Sequence, residues 1–492
     1  MAFRDLREYI GKLEELGEVQ PIEKEVDPYL EVGAVIRRSY DLRAPAPFFQ
    51  KLKGYPAGVR VFGAPVAMSR QPGRAYARIA TALGLAPEAT YGQIVDAVIA
   101  RVRDMRANPI KPVVVSREAA PCKENVLLGD EVDLGLFPAP VIHGGDGGGY
   151  IGTWHTVITK DPDTGWVNWC VCRLMVVDKN RLTGHVLPFQ HIGMHYFGKY
   201  EPRGKPMPFA VAIGTEPVAT MVSGSRLARP GEDEVDFVCA LRGEPVELVP
   251  AETADLMVPA GAEVVLEGEM LPGERTPEGP FGEFPGYQAS GQAPRPVFRV
   301  KAITYRRNPI LPHTCFGVPV HDGNAFHSVF RAATLQDFLE RQGLPIRRVC
   351  LPPEAVGFLA AIATRVPYEG YPQQLANAVF GHPDSRATYY LIIVEEDVDV
   401  TDLGQVVWAL ATRCHPGRGV FVNDKSPGMD LVPFASAEER RRIIAAQVWF
   451  DATWPKSWAP SEVPIKASLD VLWPKEVQER VLANWRDYGY GE

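Results

Sequence analysis

The sequence predicts a multidomain α/β protein, on three observations. Its 492 residues are too many for one core and suggest two to four domains. From Pro121 to about Pro312, short runs of β-branched and aromatic residues recur between Gly/Pro turns, the pattern of an antiparallel sheet or barrel. Before that stretch helices and strands are mixed, and after it they alternate as in a parallel α/β layer.

In chain order, Leu6, Tyr9, Ile10, Leu13 and Leu16 share one face of an opening helix that Gly17 is placed to end. A β-like segment follows over Val19–Val26. Asp27 and Pro28 introduce an apolar-periodic stretch through Val35 and Ile36, and helical patterns cover Tyr76–Leu85 and Tyr91–Met105. Strands are expected at Gly152–Thr159, Trp166–Val177, Phe209–Gly214, Pro245–Val249, Glu263–Gly268 and Val297–Tyr305. Beyond them, strand Arg347–Leu351 leads to a helix over Glu354–Thr364, and strand Tyr389–Val394 to a helix over Leu403–Ala411. Pro474 starts a last helix with Val477, Val481, Leu482 and Trp485 on one face, a stripe that needs a docking partner.

Bulk properties remove several classes of function. A net charge of -8, from 52 basic and 60 acidic residues, argues against a nucleic-acid surface. No stretch approaches the ~20 consecutive apolar residues of a membrane span, and Met1–Leu16 has no signal-peptide core. Seven cysteines, an odd number spread over a long chain, fit reduced thiols in a cytoplasmic protein. Cys170 and Cys172 form a C-x-C without a second pair at zinc spacing, so buried strand thiols are expected there.

The richest chemistry lies in Pro277-Glu278-Gly279-Pro280-Phe281-Gly282-Glu283-Phe284-Pro285-Gly286-Tyr287. Proline and glycines forbid a helix, and a turn can aim both glutamates into one cavity. Two acids in unequal environments hold a proton donor and an acceptor in one site; the competing reading is an exposed acidic loop. Four more features stand out. In Val167-Asn168-Trp169-Cys170-Val171-Cys172-Arg173, strict alternation puts Asn168, Cys170 and Cys172 on one face and Arg173 on the other, unless a bulge intervenes. Gln190-His191 precedes His195, but Gly193 weakens the helix that would pair the histidines on a metal, so a single ligand or a core histidine is favoured. Met221-Val222-Ser223-Gly224-Ser225 reads as a small-residue loop able to cradle phosphate, a common pattern. Glu232-Asp233-Glu234 offers a ligand for a hard cation or a solvated charge run. Gly144–Gly149 lacks the strand–GxGxxG–helix setting of a dinucleotide site.

Taken together, these segments resemble the UbiD family of reversible (de)carboxylases, which use prenylated FMN. The similarity runs from the first helix to the last. Its most specific part extends from Glu234-Val235-Asp236-Phe237 through Ala240-Leu241-Arg242-Gly243-Glu244-Pro245-Val246-Glu247 and Glu267-Gly268-Glu269 to the E-G-P-F-G-E signature at Glu278–Glu283. The resemblance implies that Asn168, His191 and Glu234 bind Mn²⁺, which clamps the cofactor phosphate. Trp169, Val222 and Ser223 match a neighbouring K⁺ site, and Gln190 a flavin contact; Cys170, Val171, Cys172, Arg173 and Ser225 fall in the same cofactor-binding segments. Arg173, Glu278 and Glu283 match the catalytic trio. Arg173 and Glu278 would position the substrate carboxylate, and Glu283, its pKa raised by apolar surroundings, would protonate the carbon left by carbon dioxide.

The resemblance further implies an N-terminal α/β domain (1–115), a flavin-binding split β-barrel (116–315), a C-terminal α/β oligomerisation domain (316–470) and a terminal helix (471–492) docking on a partner subunit. A homodimer or homohexamer is expected, with a flavin prenyltransferase supplying the cofactor. One departure stands out: where relatives carry a cofactor-contacting lysine before the D-x-D-V segment, this chain has Tyr389 and Tyr390. The far side of the pocket would include His321, Phe326, His327, Arg331 and Phe434. Their polarity suggests an aromatic or heteroaromatic acid bearing a polar group, within a class that also includes α,β-unsaturated acids. The rival readings are an FMN-dependent oxidoreductase on a split barrel, for which no nicotinamide fingerprint is present, and a family member working as a carboxylase.

Overall fold

The computed structural model describes residues 2–288 and 291–491. Local rules explain its first helix, Leu6–Glu15. The Asp5 side chain accepts the Glu8 amide at the start, Leu6, Tyr9, Ile10 and Leu13 are buried, and Gly17 takes a positive φ of 70° just past the end. Helix Tyr91–Ala107 begins with a capping box between Thr90 and Gln93. Strands Val19–Ile22, Ala46–Phe49, Arg60–Gly63 and Ile310–His313 form the first sheet, in that order. Its last strand comes from far along the chain and pairs in parallel with Arg60–Gly63.

The centre is a curled ten-stranded antiparallel sheet. Its path runs Tyr150–Gly152, Leu174–Val176, Arg181–Gly184, Ala293–Tyr305, Val264–Met270, Met207–Ile213, His155–Lys160 and Val167–Cys170, and Asn125–Leu128 and Arg275–Glu278 also pair with Ala293–Tyr305. The expected strand near Pro245–Val249 forms as Glu247–Pro250 but belongs to a small separate sheet with Met257–Pro259 and Val113–Val114.

A five-stranded sheet follows in the order Ile346–Cys350, Leu359–Thr364, Tyr390–Glu395, Ile444–Ala452 and Val420–Pro427, with parallel pairing at its centre. Here the structure corrects the helix expected over Glu354–Thr364. Only a short 3₁₀ turn forms at Pro353–Ala355; Val356 and Gly357 take positive φ, and Leu359–Thr364 is a strand. Alanines at 360, 361 and 363 suggest a helix, but a strand buried on both faces shows the same unbroken apolar run. At the end of the chain, Leu469–Leu472 and Lys475–Ala483 are helical and bury nothing within the chain, leaving Leu472, Trp473, Leu482 and Trp485 exposed.

Candidate active site

Glu278 ends strand Arg275–Glu278, opposite Ala293, and Glu283 lies beyond it on the following turn. This turn is held by the glycine-dense segment before the barrel. Asp146 accepts the Gly282 amide at 3.1 Å, Gly147 donates to the Pro280 carbonyl at 2.8 Å, and the His143 ring bonds Asp146 and the Phe316 carbonyl. The contact is close: a Cβ on Gly147 would lie 2.1 Å from the Gly279 oxygen, and one on Gly282 would lie 2.6 Å from the His143 ring.

Arg173 joins the two acids. Its Nε and Nη2 donate to Glu278 at 2.7 and 2.9 Å, and its Nη1 is hydrogen-bonded to Glu283. The guanidinium lies over the Phe281 ring, and Tyr150 donates its hydroxyl to Glu278 at 2.8 Å. All three charged groups are buried. Burial alone would raise the Glu278 pKa, but the Arg173 bonds and charge, with the Tyr150 hydroxyl, bring it below the ordinary carboxylate value. For Glu283, burial wins: its pKa is pushed up to about 7 against the pull of Arg173, with the Glu278 and Asp430 carboxylates adding to the rise. Burial would lower the Arg173 pKa, and its two glutamates reverse that.

Strict alternation is broken between Asn168 and Arg173. The strand stops at Cys170, three residues run irregularly, and a new strand begins at Leu174. Where regular alternation lapses, Asn168, Cys170 and Arg173 all line one cavity of about 900 Å³. Trp169, Val171, Cys172, Gln190, His191, Ser223, Ser225, Glu234 and Glu283 also line it, whereas Glu278 sits behind Arg173.

Glu234 is the first residue of helix Glu234–Arg242 and is buried. Its carboxylate accepts the Trp169 amide at 2.8 Å and bonds His191 Nδ1 at 2.9 Å. Asp233 accepts the Val167 amide and Glu232 the Arg229 amide, so each acid of the run has a separate task. Asn168 donates its amide nitrogen to Thr159, leaving a buried Oδ1 without a hydrogen-bond partner. An amide oxygen, an imidazole and a carboxylate facing one cavity suit a hard or borderline divalent cation.

The expected loop at Met221–Ser225 is instead the end of helix Pro217–Gly224, with Ser225 as its C-cap. Helix C-termini present carbonyls, so this end suits a cation rather than the amide cradle for phosphate read from the sequence. Val222 itself is buried away from the cavity wall, its carbonyl accepting from Ser225. Gly193, read as a helix weakener, sits inside the short helix His191–His195, where a Cβ would lie 1.9 Å from the Leu187 carbonyl oxygen. His195 is a core residue: it bonds Thr159, packs edge-on against Trp166, and burial lowers its pKa to about 4.

On the far wall, Phe326 and His327 face the cavity with their rings 4.3 Å apart. The Arg331 guanidinium is tied to the Gly357 and Asp384 carbonyls and the Thr388 hydroxyl. His321 lies off that wall, because its ring caps helix Asp322–Arg341 by accepting the Gly323 amide. Phe434 also lies off it, packed edge-on against Tyr389 and half exposed. Sequence reasoning missed Tyr150, the His143–Asp146 brace and His185, whose Nε2 is 3.4 Å from Asp430 of the C-terminal unit. Tyr150 directly follows the glycine-dense segment; His185 and Asp430 carry no local signal.

Sequence profiles place most of the chain. Those of the N-terminal, Rift-related and C-terminal domains of UbiD, 3-octaprenyl-4-hydroxybenzoate carboxy-lyase, match residues 10–98, 113–319 and 325–452. The chain belongs to the UbiD family. Within this family, the pyrrole-2-carboxylic acid decarboxylase of Pseudomonas aeruginosa is 37% identical over 498 residues, covering 99% of both chains. The closed form of the vanillic acid decarboxylase of Sedimentibacter hydroxybenzoicus superposes with a TM-score of 0.87 at 31% identity, covering 99% of each chain. The UbiD-class enzyme HmfF of Pelotomaculum thermopropionicum, solved with FMN, gives 0.83 at 32% identity, covering 98% of this chain and 100% of its own; an evolved dimeric form was solved with prFMN. Among the described residues, no helix is long and apolar enough to cross a membrane.

Proposed function

We propose that this UbiD-family chain is a reversible, non-oxidative decarboxylase of an aromatic or heteroaromatic carboxylic acid, dependent on prenylated FMN. The observation that carries the reading is the unequal pair of carboxyls on Arg173. Glu278 is held as an anion by a two-pronged guanidinium contact, while Glu283 titrates near neutrality at the cavity wall.

Asn168, His191 and Glu234 would hold the Mn²⁺ that meets the cofactor phosphate. The carbonyl end of helix Pro217–Gly224, with Trp169 and Ser223, would hold K⁺, while the Val222 carbonyl stays engaged by Ser225. When bound, prenylated FMN supplies the electron sink for the pair released as carbon dioxide leaves. Arg173 orients the substrate carboxylate, and Glu278 keeps the guanidinium in its plane. Glu283, in its acid form, delivers a proton to the substrate carbon that loses carbon dioxide. Run in reverse, the same carboxylate removes that proton, so one site serves both directions. His327 and Phe326 read the ring of the acid, and Arg331 adds positive charge from behind.

The domain division at about residues 115, 315 and 470 belongs to this reading. So does an oligomer covered by the terminal helix, which the exposed Leu472, Trp473, Leu482 and Trp485 support. Seven free cysteines support a cytoplasmic setting, where a flavin prenyltransferase would supply the cofactor.

The test is to produce the protein together with a flavin prenyltransferase and measure carbon dioxide release from pyrrole, benzoic and acrylic acids. Release from at least one ring acid, abolished in Glu283→Gln, is expected. Unmodified FMN with NADH turnover and no release would sink the reading. A substrate panel on His327→Ala and Arg331→Ala tests the far wall, and unchanged preference in both would remove it.

A further inference from the structure

One stretch of the cavity wall gathers four arginines against one carboxylate, Asp384. Arg226, Arg229 and Arg386 line it, and none makes an ion pair among the described residues. Arg331 stands among them, bonded only to neutral oxygens. Three of these charges, those of Arg386, Arg331 and Arg226, act on the buried Tyr389 hydroxyl. Like charges gathered at a half-enclosed wall repel, and an anionic ligand relieves that repulsion.

Position says which anion. The Arg386 guanidinium lies 5.0 Å over the Phe189 ring, and Phe189 is followed directly by Gln190 and His191. Arg226 directly follows Ser225, the C-cap of the helix whose end borders Trp169 and Glu234 on the cavity. Both arginines therefore adjoin, by stacking or in sequence, the segments that carry His191 and the helix end beside Trp169, and Arg226 also reaches His327 on the far wall. Arginine's planar fork matches phosphate oxygens two at a time.

We propose that Arg226 and Arg386 form a phosphate grip, binding the doubly charged phosphate of the flavin mononucleotide alongside the metal donors. The inference rests on the flavin reading above and deepens it. Arg386 belongs to the 3₁₀ segment Pro383–Ala387 of the C-terminal unit, whereas the metal donors belong to the central one. Phosphate bound this way ties the two units together, and flavin loading then depends on how they sit against each other.

The test compares FMN with riboflavin, which lacks the phosphate, by fluorescence quenching with Mn²⁺ present. Wild type, Arg226→Ala, Arg386→Ala and Arg386→Lys are titrated, with bound Mn²⁺ measured in each. Each alanine variant is expected to weaken FMN binding roughly ten-fold, leave riboflavin binding unchanged and flatten the salt dependence; Arg386→Lys recovers part of the loss. Unchanged FMN affinity overturns the proposal, as does equal loss for both flavins. A defect confined to KM for the acid also overturns it, assigning the arginines to substrate. Wild type binding neither flavin would instead overturn the flavin reading itself.

Discussion

Arg173 holds Glu278 with two guanidinium nitrogens, at 2.7 and 2.9 Å, and reaches Glu283 with a third. One cation thus serves two acids unequally. The two-pronged partner stays ionised, and the other keeps a proton within reach of neutral pH.

Glu283→Gln keeps the shape of the side chain and removes its proton transfer. Turnover is expected to fall by roughly 10²–10⁴-fold, with bound flavin unchanged by absorbance. His191→Ala is the opposite case: loss of Mn²⁺ and flavin together, read by metal analysis and the absorbance of the purified protein.

The raised pKa of Glu283 sets the pH profile. Its acid form is present below about 7 and is lost as pH rises through that value. Decarboxylation kcat should therefore fall on the alkaline side with an apparent pKa near 7, while carboxylation, which needs the anion, should rise over the same window. In Glu278→Gln, loss of a neighbouring negative charge and release of Arg173 both lower the Glu283 pKa. The residual activity limb, or the Glu283 carboxyl stretch followed by infrared titration, should shift to lower pH.

Tyr150→Phe deletes one hydrogen bond to an ionised group, 2.8 Å from Glu278. Such a bond contributes about 1.5–3 kcal/mol. The expected result is a roughly ten-fold or greater loss in kcat/KM with the fold retained, as judged by circular dichroism.

Gly193→Ala drives a methyl into the Leu187 carbonyl. Because His191 lies on the same short helix, the variant should lose metal before it loses stability. A full complement of Mn²⁺ in the purified variant would contradict this account.

The acidic turn, the barrel strands and the first helix were legible because each is written in local chemistry: Pro280 with its glycines, β-branched runs between turns, and the Leu6–Leu13 stripe ended by Gly17. Leu359–Thr364 was misread because an alanine-rich run fits both a helix and a strand buried on two faces. At 168–173 the alternation was sound up to Cys170, and the three-residue interruption that brings Arg173 into the cavity has no signal of its own. His321 looked like a pocket residue because sequence shows that it is polar, not that its ring is already engaged by the Gly323 amide. Asp430 and His185 meet across units separated by more than 200 residues, where no local pattern reaches.

The strand Ile310–His313 closes the first sheet although the chain builds the whole central unit before reaching it. A fragment ending near residue 115 would therefore present Arg60–Gly63 as a bare edge, open to pairing with another copy. During synthesis that edge waits for about 250 residues to emerge, so the first part of the protein made is among the last to be completed. Limited proteolysis between 115 and 310 should accordingly leave the pieces associated rather than release a free N-terminal domain.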